Sequence, residues 1–294
     1  MGNKIKLYNC DQKHLNTKDT LYLDYLSLIG IKKIEQPNLN FLTKIHQAHI
    51  ETIGYTNLDF IFGREISLKL EDIIFKLINE HPGGVCYELT YAFYHLLKFL
   101  GFDIRLVYAN LPRDKNTIFK HSETSHVIGL VNLDKTIYMT DICFSSRSRR
   151  QPIDIYKSAY EEQRGEYRIV QTKLNNIDKF ILQKKRNGNY INCYSFKLDH
   201  HFIPPETMSY KKCPQEIYPN LYGDFEYMLP TSNSYRQIIN NIFTESSSGN
   251  KTTIVINNYE QFITILVKKM NANKNFLNNL SKEVFTSILS SPLK

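Results

Sequence analysis

Residues 125–144 read SHVIGLVNLDKTIYMTDICF. Two short runs rich in β-branched and apolar residues, SHVIGLVN and TIYMTDICF, flank the polar stretch NLDK. That pattern predicts an antiparallel hairpin. A turn centred on Leu133 and Asp134 sets His126 directly opposite Asp141. It also sets Ile128 opposite Met139, and Leu130 opposite Ile137, on the same face. Directly opposed residues have Cβ atoms about 4.5–5.5 Å apart. A histidine and a carboxylate at one end of an apolar face must hydrogen-bond, because burying either alone is costly. The pairing depends on the register, which an odd-length loop would break.

Working outward, similar runs surround the hairpin. FDIRLVYANL, EYRIVQTK, KFILQKKRNG and YINCYSFKL are short, β-rich and separated by turn residues. They predict a small antiparallel barrel or sandwich. The first hundred residues read differently. TLYLDYLSLIGI, NLNFLTKIHQAHIETI and SLKLEDIIFKLINE carry apolar residues at helical spacing, with Ser67 as a candidate cap for the third. Another helix follows Cys86, with Leu89, Ala92, Phe93, Leu96, Leu97 and Leu100 on one face and Gly101 at its end. Past residue 205 the pattern is mixed: TTIVINN reads as a strand, and YEQFITILVKKM and SKEVFTSILSS read as helices. At 294 residues the chain is long for one core, so several sub-domains are expected.

The stretch HPGGVCYELT, residues 81–90, puts a cysteine after two glycines and at the mouth of the fourth helix. Most free cysteines are small buried hydrophobes without a chemical role. Here Gly83 and Gly84 allow a tight turn and close approach. The first turn of a helix favours a thiolate and offers N–H groups to a developing oxyanion. A nucleophile needs a base, and the hairpin supplies one. Asp141 would fix the tautomer of His126, which would activate the thiol. A satisfied core His–Asp pair is the plainer reading of the hairpin alone, but it leaves the glycine-primed cysteine unexplained. His46 and His49 stand at helical spacing without a third ligand, and no paired-carboxylate site emerges.

Composition removes other classes. The five cysteines have no zinc spacing, and a reducing cytoplasm with free thiols is expected. The net charge of +8 permits an anionic partner such as a phosphate-bearing cofactor. The basic residues are scattered, with RSRR at 147–150 and KKR at 184–186 as the clusters. No nucleic-acid-binding signature, Walker A motif or GxGxxG stands in the chain. No apolar run reaches the roughly 18 residues that span a bilayer. The N-terminal MGNKIKLYNCDQK lacks a secretory h-region, and Lys6 stands where a myristoylation signal has Ser or Thr. Neither a membrane nor a nucleic acid is expected as a partner.

The segments GGVCYEL, SHVIGLV and TDICF resemble, in this order, the three catalytic segments of the arylamine N-acetyltransferases. HQAHIETIGYTNLDF and GDFEYMLPTSNSYRQ are similar to earlier and later stretches of that family. The resemblance implies an α+β fold with a cysteine-protease-like core. It implies a helical bundle over 1–101 carrying the cysteine, a β-barrel over 102–204 carrying the histidine and aspartate, and an α/β lid over 205–294. It implies acetyl transfer from acetyl-CoA to an arylamine or arylhydrazine by a ping-pong route, without a metal. Carried over, Cys86 is the acetylated nucleophile, His126 the base and acid, and Asp141 its orienter. Thr124, Ser125, Phe144, Ser145, Thr231 and Ser234 are the implied coenzyme A contacts, with a helix cap as the rival role for Thr231 and Ser234. Phe144 reads equally as an aromatic wall for the acceptor or as core packing. RSRR is implied as a phosphate clamp, or as a solvated loop.

The chain departs from the family pattern at the cysteine loop. Pro82 stands where the family has an arginine, and Thr56 where it has a glutamate, so the ion pair that braces the loop there is absent as a pair. Thr90 replaces an asparagine. The family's D-V-G-F-G-G becomes DICFSS, with Cys143, Ser145 and Ser146 in place of glycines, which bears on the acyl donor. Two other readings stay open: cysteine hydrolase or transglutaminase-like acyl transfer by the same triad, and a non-catalytic binding protein on this scaffold.

Overall fold

The computed structural model describes residues 17–111, 126–144, 150–157, 159–162, 165–174, 177–201, 223–232, 235–247 and 250–290. The first part is helical, with α1 (Thr17–Leu28), α2 (Leu39–Thr52), α3 (Leu58–Ile61), α4 (Leu70–Asn79) and α5 (Cys86–Phe99). Two very short strands, β1 (Gly54–Thr56) and β2 (Gly83–Gly84), lie among them. Asn38 caps α2 by accepting the Phe41 N–H, at 2.9 Å. Gly101 follows α5 with φ of 86°, a left-handed turn that suits glycine. Ser67 is not the cap of α4: that position falls to Lys69, and the Ser67 hydroxyl instead accepts the Lys69 N–H at 3.1 Å and donates to Asp72. The apolar faces of α1, α2, α4 and α5 meet in one core with Tyr25, Phe41, Phe93 and Leu96.

The middle of the chain forms β3 (Asp103–Asn110), β4 (His126–Leu133), β5 (Thr136–Thr140), β6 (Ile153–Asp154), β7 (Tyr160–Glu162), β8 (Gly165–Leu174), β9 (Ile177–Arg186) and β10 (Asn189–His201). They make one antiparallel sheet in the order β6-β5-β4-β3-β10-β9-β8-β7, coiled nearly into a barrel. Ile128, Met139, Ile153, Tyr167, Phe180 and Tyr194, from six of these strands, share its interior core. The two edge strands approach each other, and the Tyr160 hydroxyl donates to the Asp154 carbonyl at 3.1 Å. The opposite face of β3 and β4 carries Ile104, Leu106, Val127 and Val131 into the helical core. Strand β4 is therefore buried on both faces, and its apolar run reflects that.

The hairpin forms, with a register two residues from the expected one. Gly129 pairs with Thr140, Leu130 with Met139 and Leu133 with Thr136. The turn is Asp134–Lys135, at φ of 49° and 65°. Two positive φ values make the tight turn whose twist suits a two-residue hairpin. The expected turn would have placed Leu133 there, and a bulky apolar side chain is strained in that region. Because the shift is even, every side chain keeps its face. His126 and Asp141 are diagonal neighbours rather than direct partners. Asp141 lies just past the end of β5.

The last part adds β11 (Glu226–Pro230), β12 (Tyr235–Ile239), β13 (Ile242–Ser247), β14 (Asn250–Val255), α6 (Tyr259–Met270), α7 (Lys274–Asn278) and α8 (Lys282–Ser290). Its sheet runs β14-β13-β12-β11-β1-β2, so it takes two strands from the first hundred residues. Phe225, Phe243, Phe262 and Phe285 lead its core, and Leu58 of α3 joins them. Among the described residues no helix is long and apolar enough to cross a membrane.

Candidate active site

Cys86 is the first residue of α5, directly after its N-cap Val85. The turn before it is β2, paired in parallel with β1 through Gly83–Gly54 and Gly84–Tyr55. Both glycines are needed by this packing. A Cβ on Gly83 would sit 2.9 Å from the Thr56 methyl and 3.1 Å from the Gly54 carbonyl. One on Gly84 would sit 3.0 Å from a Glu88 carboxylate oxygen. The close approach that the glycines allow is made here by the protein's own atoms, Thr56 and Gly54 at Gly83 and Glu88 at Gly84. Glu88 turns back to accept the Val85 N–H at 3.1 Å, which fixes the entry to the helix. Thr90, one turn on, donates to the Val127 carbonyl at 3.3 Å and so ties α5 to β4.

That tie brings the thiol to the histidine. His126 opens β4 and is buried, with its ring close enough to the Cys86 thiol for the two to interact electrostatically. Its Nε2 lies 3.1 Å from Asp141 Oδ1, which leaves Nδ1 as the nitrogen for the thiol. Asp141 is held in turn by two donors. The Cys143 N–H reaches Oδ1 at 3.2 Å, and the Tyr194 hydroxyl reaches Oδ2 at 2.6 Å. The ring of Phe144 stands 5.7 Å from His126 and 5.0 Å from Tyr194, so it packs against the pair.

The electrostatics follow from this geometry. Burial alone would discharge His126, but the Asp141 carboxylate and the Cys86 thiol outweigh it and raise its pKa to about 10. Burial works against the Asp141 anion, yet His126, Tyr194 and the Cys143 amide hold its carboxyl below the usual range. Burial pushes the Cys143 thiol well up, with Cys86 and Asp141 adding to the effect. Of the described cysteines, Cys86 is half-buried, whereas Cys143 and Cys193 are each 4% exposed. Tyr55 of β1 is also at this site: burial, then Glu226, Cys86 and Cys143, raise its phenol well above its usual pKa.

Sequence reasoning singled out Cys86, His126 and Asp141, and the structure brings them together. It missed Tyr194. The signal was a buried tyrosine, which must find a partner for its hydroxyl. A register shift between Asn192 and Tyr194 hides it, because it breaks the in–out alternation of β10. Thr231, half-buried, follows β11 directly. Thr124, Ser125, Ser145 and Ser234 lie outside the described residues, as do 147–149 of RSRR. Arg150, the last of that run, is paired with Glu51 at 3.3 Å. His46 and His49 are core residues of α2. Both pack on Phe93, and His49 Nδ1 meets the Tyr25 hydroxyl at 2.6 Å.

Comparison with known proteins agrees with the fold. The chain is similar to the arylamine N-acetyltransferase of Escherichia coli, 27% identical over 175 residues, which are 59% of this chain and 60% of that protein. It is also similar to the arylamine N-acetyltransferase / N-hydroxyarylamine O-acetyltransferase of Salmonella typhimurium, 26% identical over 179 residues, again 60% of that protein. The chain therefore spans less than two thirds of the length of the curated relatives it matches. The solved arylamine N-acetyltransferase from Salmonella typhimurium superposes with a TM-score of 0.80 at 19% identity, over 94% of this chain and 99% of that one. A family model described as N-acetyltransferase matches residues 38–275. With that match over most of its length, the chain belongs to the N-acetyltransferase family, that of the arylamine N-acetyltransferases.

Proposed function

We propose that the chain is an acetyl-CoA-dependent arylamine N-acetyltransferase that works through an acetylated Cys86. The observation that carries this is the chain of contacts from Cys86 to His126 to Asp141 at the start of α5. His126 takes the thiol proton through Nδ1, and Cys86 Sγ attacks the thioester carbonyl. The imidazolium then returns its proton to the leaving coenzyme A thiolate, and the acetyl group stays on Cys86. An arylamine or arylhydrazine attacks the acetyl carbon next. His126 accepts a proton from the nitrogen, and Cys86 Sγ leaves as the amide forms. Asp141 keeps Nε2 protonated and stabilises the cation in both halves. A charged His126 beside Cys86 favours the thiolate form of the nucleophile.

Phe144 and Thr231 are the described residues we assign to coenzyme A, with Thr124, Ser125, Ser145 and Ser234 completing the set. Cys143 is buried close to Asp141, in a segment that we read as bordering the donor. Free thiols at Cys86, Cys143 and Cys193 suit a reducing cytoplasm. The acceptors in this reading are small aromatic amines, including foreign ones. Initial rates measured while both substrates vary should give parallel double-reciprocal lines. Beyond one equivalent per enzyme, free coenzyme A should accumulate only when an arylamine is present. Steady release without an amine would indicate a hydrolase instead.

A further inference from the structure

A buried chain of charges lies directly under the cysteine turn. Lys76 of α4 donates to Glu88 of α5 and, at 3.0 Å, to Asp59 of α3. Asp59 is also met by Arg64 at 3.4 Å and by His81 at 3.6 Å, and Arg64 reaches Glu80 at 2.6 Å. Lys76, Asp59 and Glu88 are all buried. A lysine is rarely buried unless it is paired, and removing one partner of such a pair leaves a costly charge behind. Burial disfavours the ammonium, but the Glu88 and Asp59 carboxylates outweigh it and hold the Lys76 pKa above its usual value. Asp59, Glu80 and His81 could by spacing hold a metal ion. Arg64 and Lys76 already engage those carboxylates, so the cluster is complete as an ion network.

This network touches the turn at two points. Glu88 spends one oxygen on Lys76 and the other on the Val85 N–H, the residue before the thiol. Gly84 packs on the same pair: a Cβ there would lie 3.0 Å from Glu88 Oε2 and 3.3 Å from Lys76 Nζ. The turn is anchored on its other side by the Gly54 N–H, which donates to Pro82 at 2.9 Å. Thr56 donates to the Glu226 carbonyl at 2.8 Å and accepts the Leu58 N–H. Neither Pro82 nor Thr56 brings a charge to the turn, so its ionic support comes from below.

We infer that Lys76 is a positioning residue for Cys86, acting through Glu88 and the Val85 amide to keep the thiol against His126. This rests on the reading of Cys86 as the nucleophile. Its test uses alkylation of the thiol by iodoacetamide, which needs no acetyl-CoA and so separates the two claims. In Lys76→Met/Glu88→Gln, Asp59 keeps Arg64 and Val85 keeps an amide oxygen. We expect alkylation of Cys86 at neutral pH to slow by about tenfold and its pH profile to move, while Cys143 and Cys193 stay protected. Lys76→Arg keeps the buried cation but changes its reach, and a several-fold slowing is expected there. It decides the matter if the double variant does not fold. Wild-type alkylation rates at Cys86 in the folded variants would overturn the inference. So would labelling of Cys143 and Cys193 along with Cys86, since that signals general loosening rather than positioning.

Discussion

At the scale of single residues, the site turns on how Asp141 is held. Its carboxylate is buried with three partners, and Tyr194 supplies the shortest of the three bonds, 2.6 Å. Hydrogen bonds to charged groups contribute about 1.5–3 kcal/mol. Tyr194→Phe keeps the ring but removes that donor, so the Asp141 carboxyl should rise toward its ordinary range. We expect the variant to lose about 1.5–3 kcal/mol in urea unfolding. Alkylation of Cys86 should slow as well, because a less firmly charged Asp141 supports the His126 cation less. Unchanged unfolding and alkylation would remove Tyr194 from the account. The three residues of the relay were legible as residue types, since a glycine-primed cysteine, a strand histidine and a strand aspartate each stand out. Tyr194 was not. Its role follows from a bulge that no spacing in YINCYSFKL announces.

Helix α2 shows how elements set what a titratable residue does. Its apolar face carries His46 and His49 with Phe41, Leu42 and Ile45 into the core. Burial, then the neighbouring His46, lowers the His49 pKa to about 3. The unfolded chain, with histidine near its ordinary value, binds a proton from about pH 6.5 downward while folded His49 does not. Stability should therefore fall as the pH drops from about 6.5 toward 3, and the Tm should follow. In His49→Phe that acid-side slope should flatten, even though the lone Tyr25 hydroxyl costs overall stability. An identical slope in wild type and variant would contradict the assignment. Helices of this kind were readable because twelve or more residues repeat the 3.6 period. The hairpin was readable as a hairpin, but its register needed the φ preference of Leu133, Asp134 and Lys135 to be weighed.

Across the whole molecule, the site is a meeting of parts distant in sequence. Cys86 comes from the last helix of the bundle, and His126 and Asp141 come from one end of the barrel. The helical core runs on to the outer face of β3 and β4, so α5 packs directly on the strand that carries His126. The turn before Cys86 is also the edge of the C-terminal sheet, through β1 and β2. This last connection was not visible in the sequence. Strands of three and two residues carry no periodicity, and the partner strand β11 lies some 170 residues away from β1. It accounts for Gly54, where a Cβ would come within 2.6 Å of the Met228 carbonyl. One measurement tests the central claim most directly: intact mass of the purified protein after mixing with acetyl-CoA alone, followed by peptide mapping. We predict a gain of one acetyl group, located on Cys86, lost when an arylamine is added and never formed in Cys86→Ser. An unmodified mass, or an acetyl group found on another residue, would contradict the account.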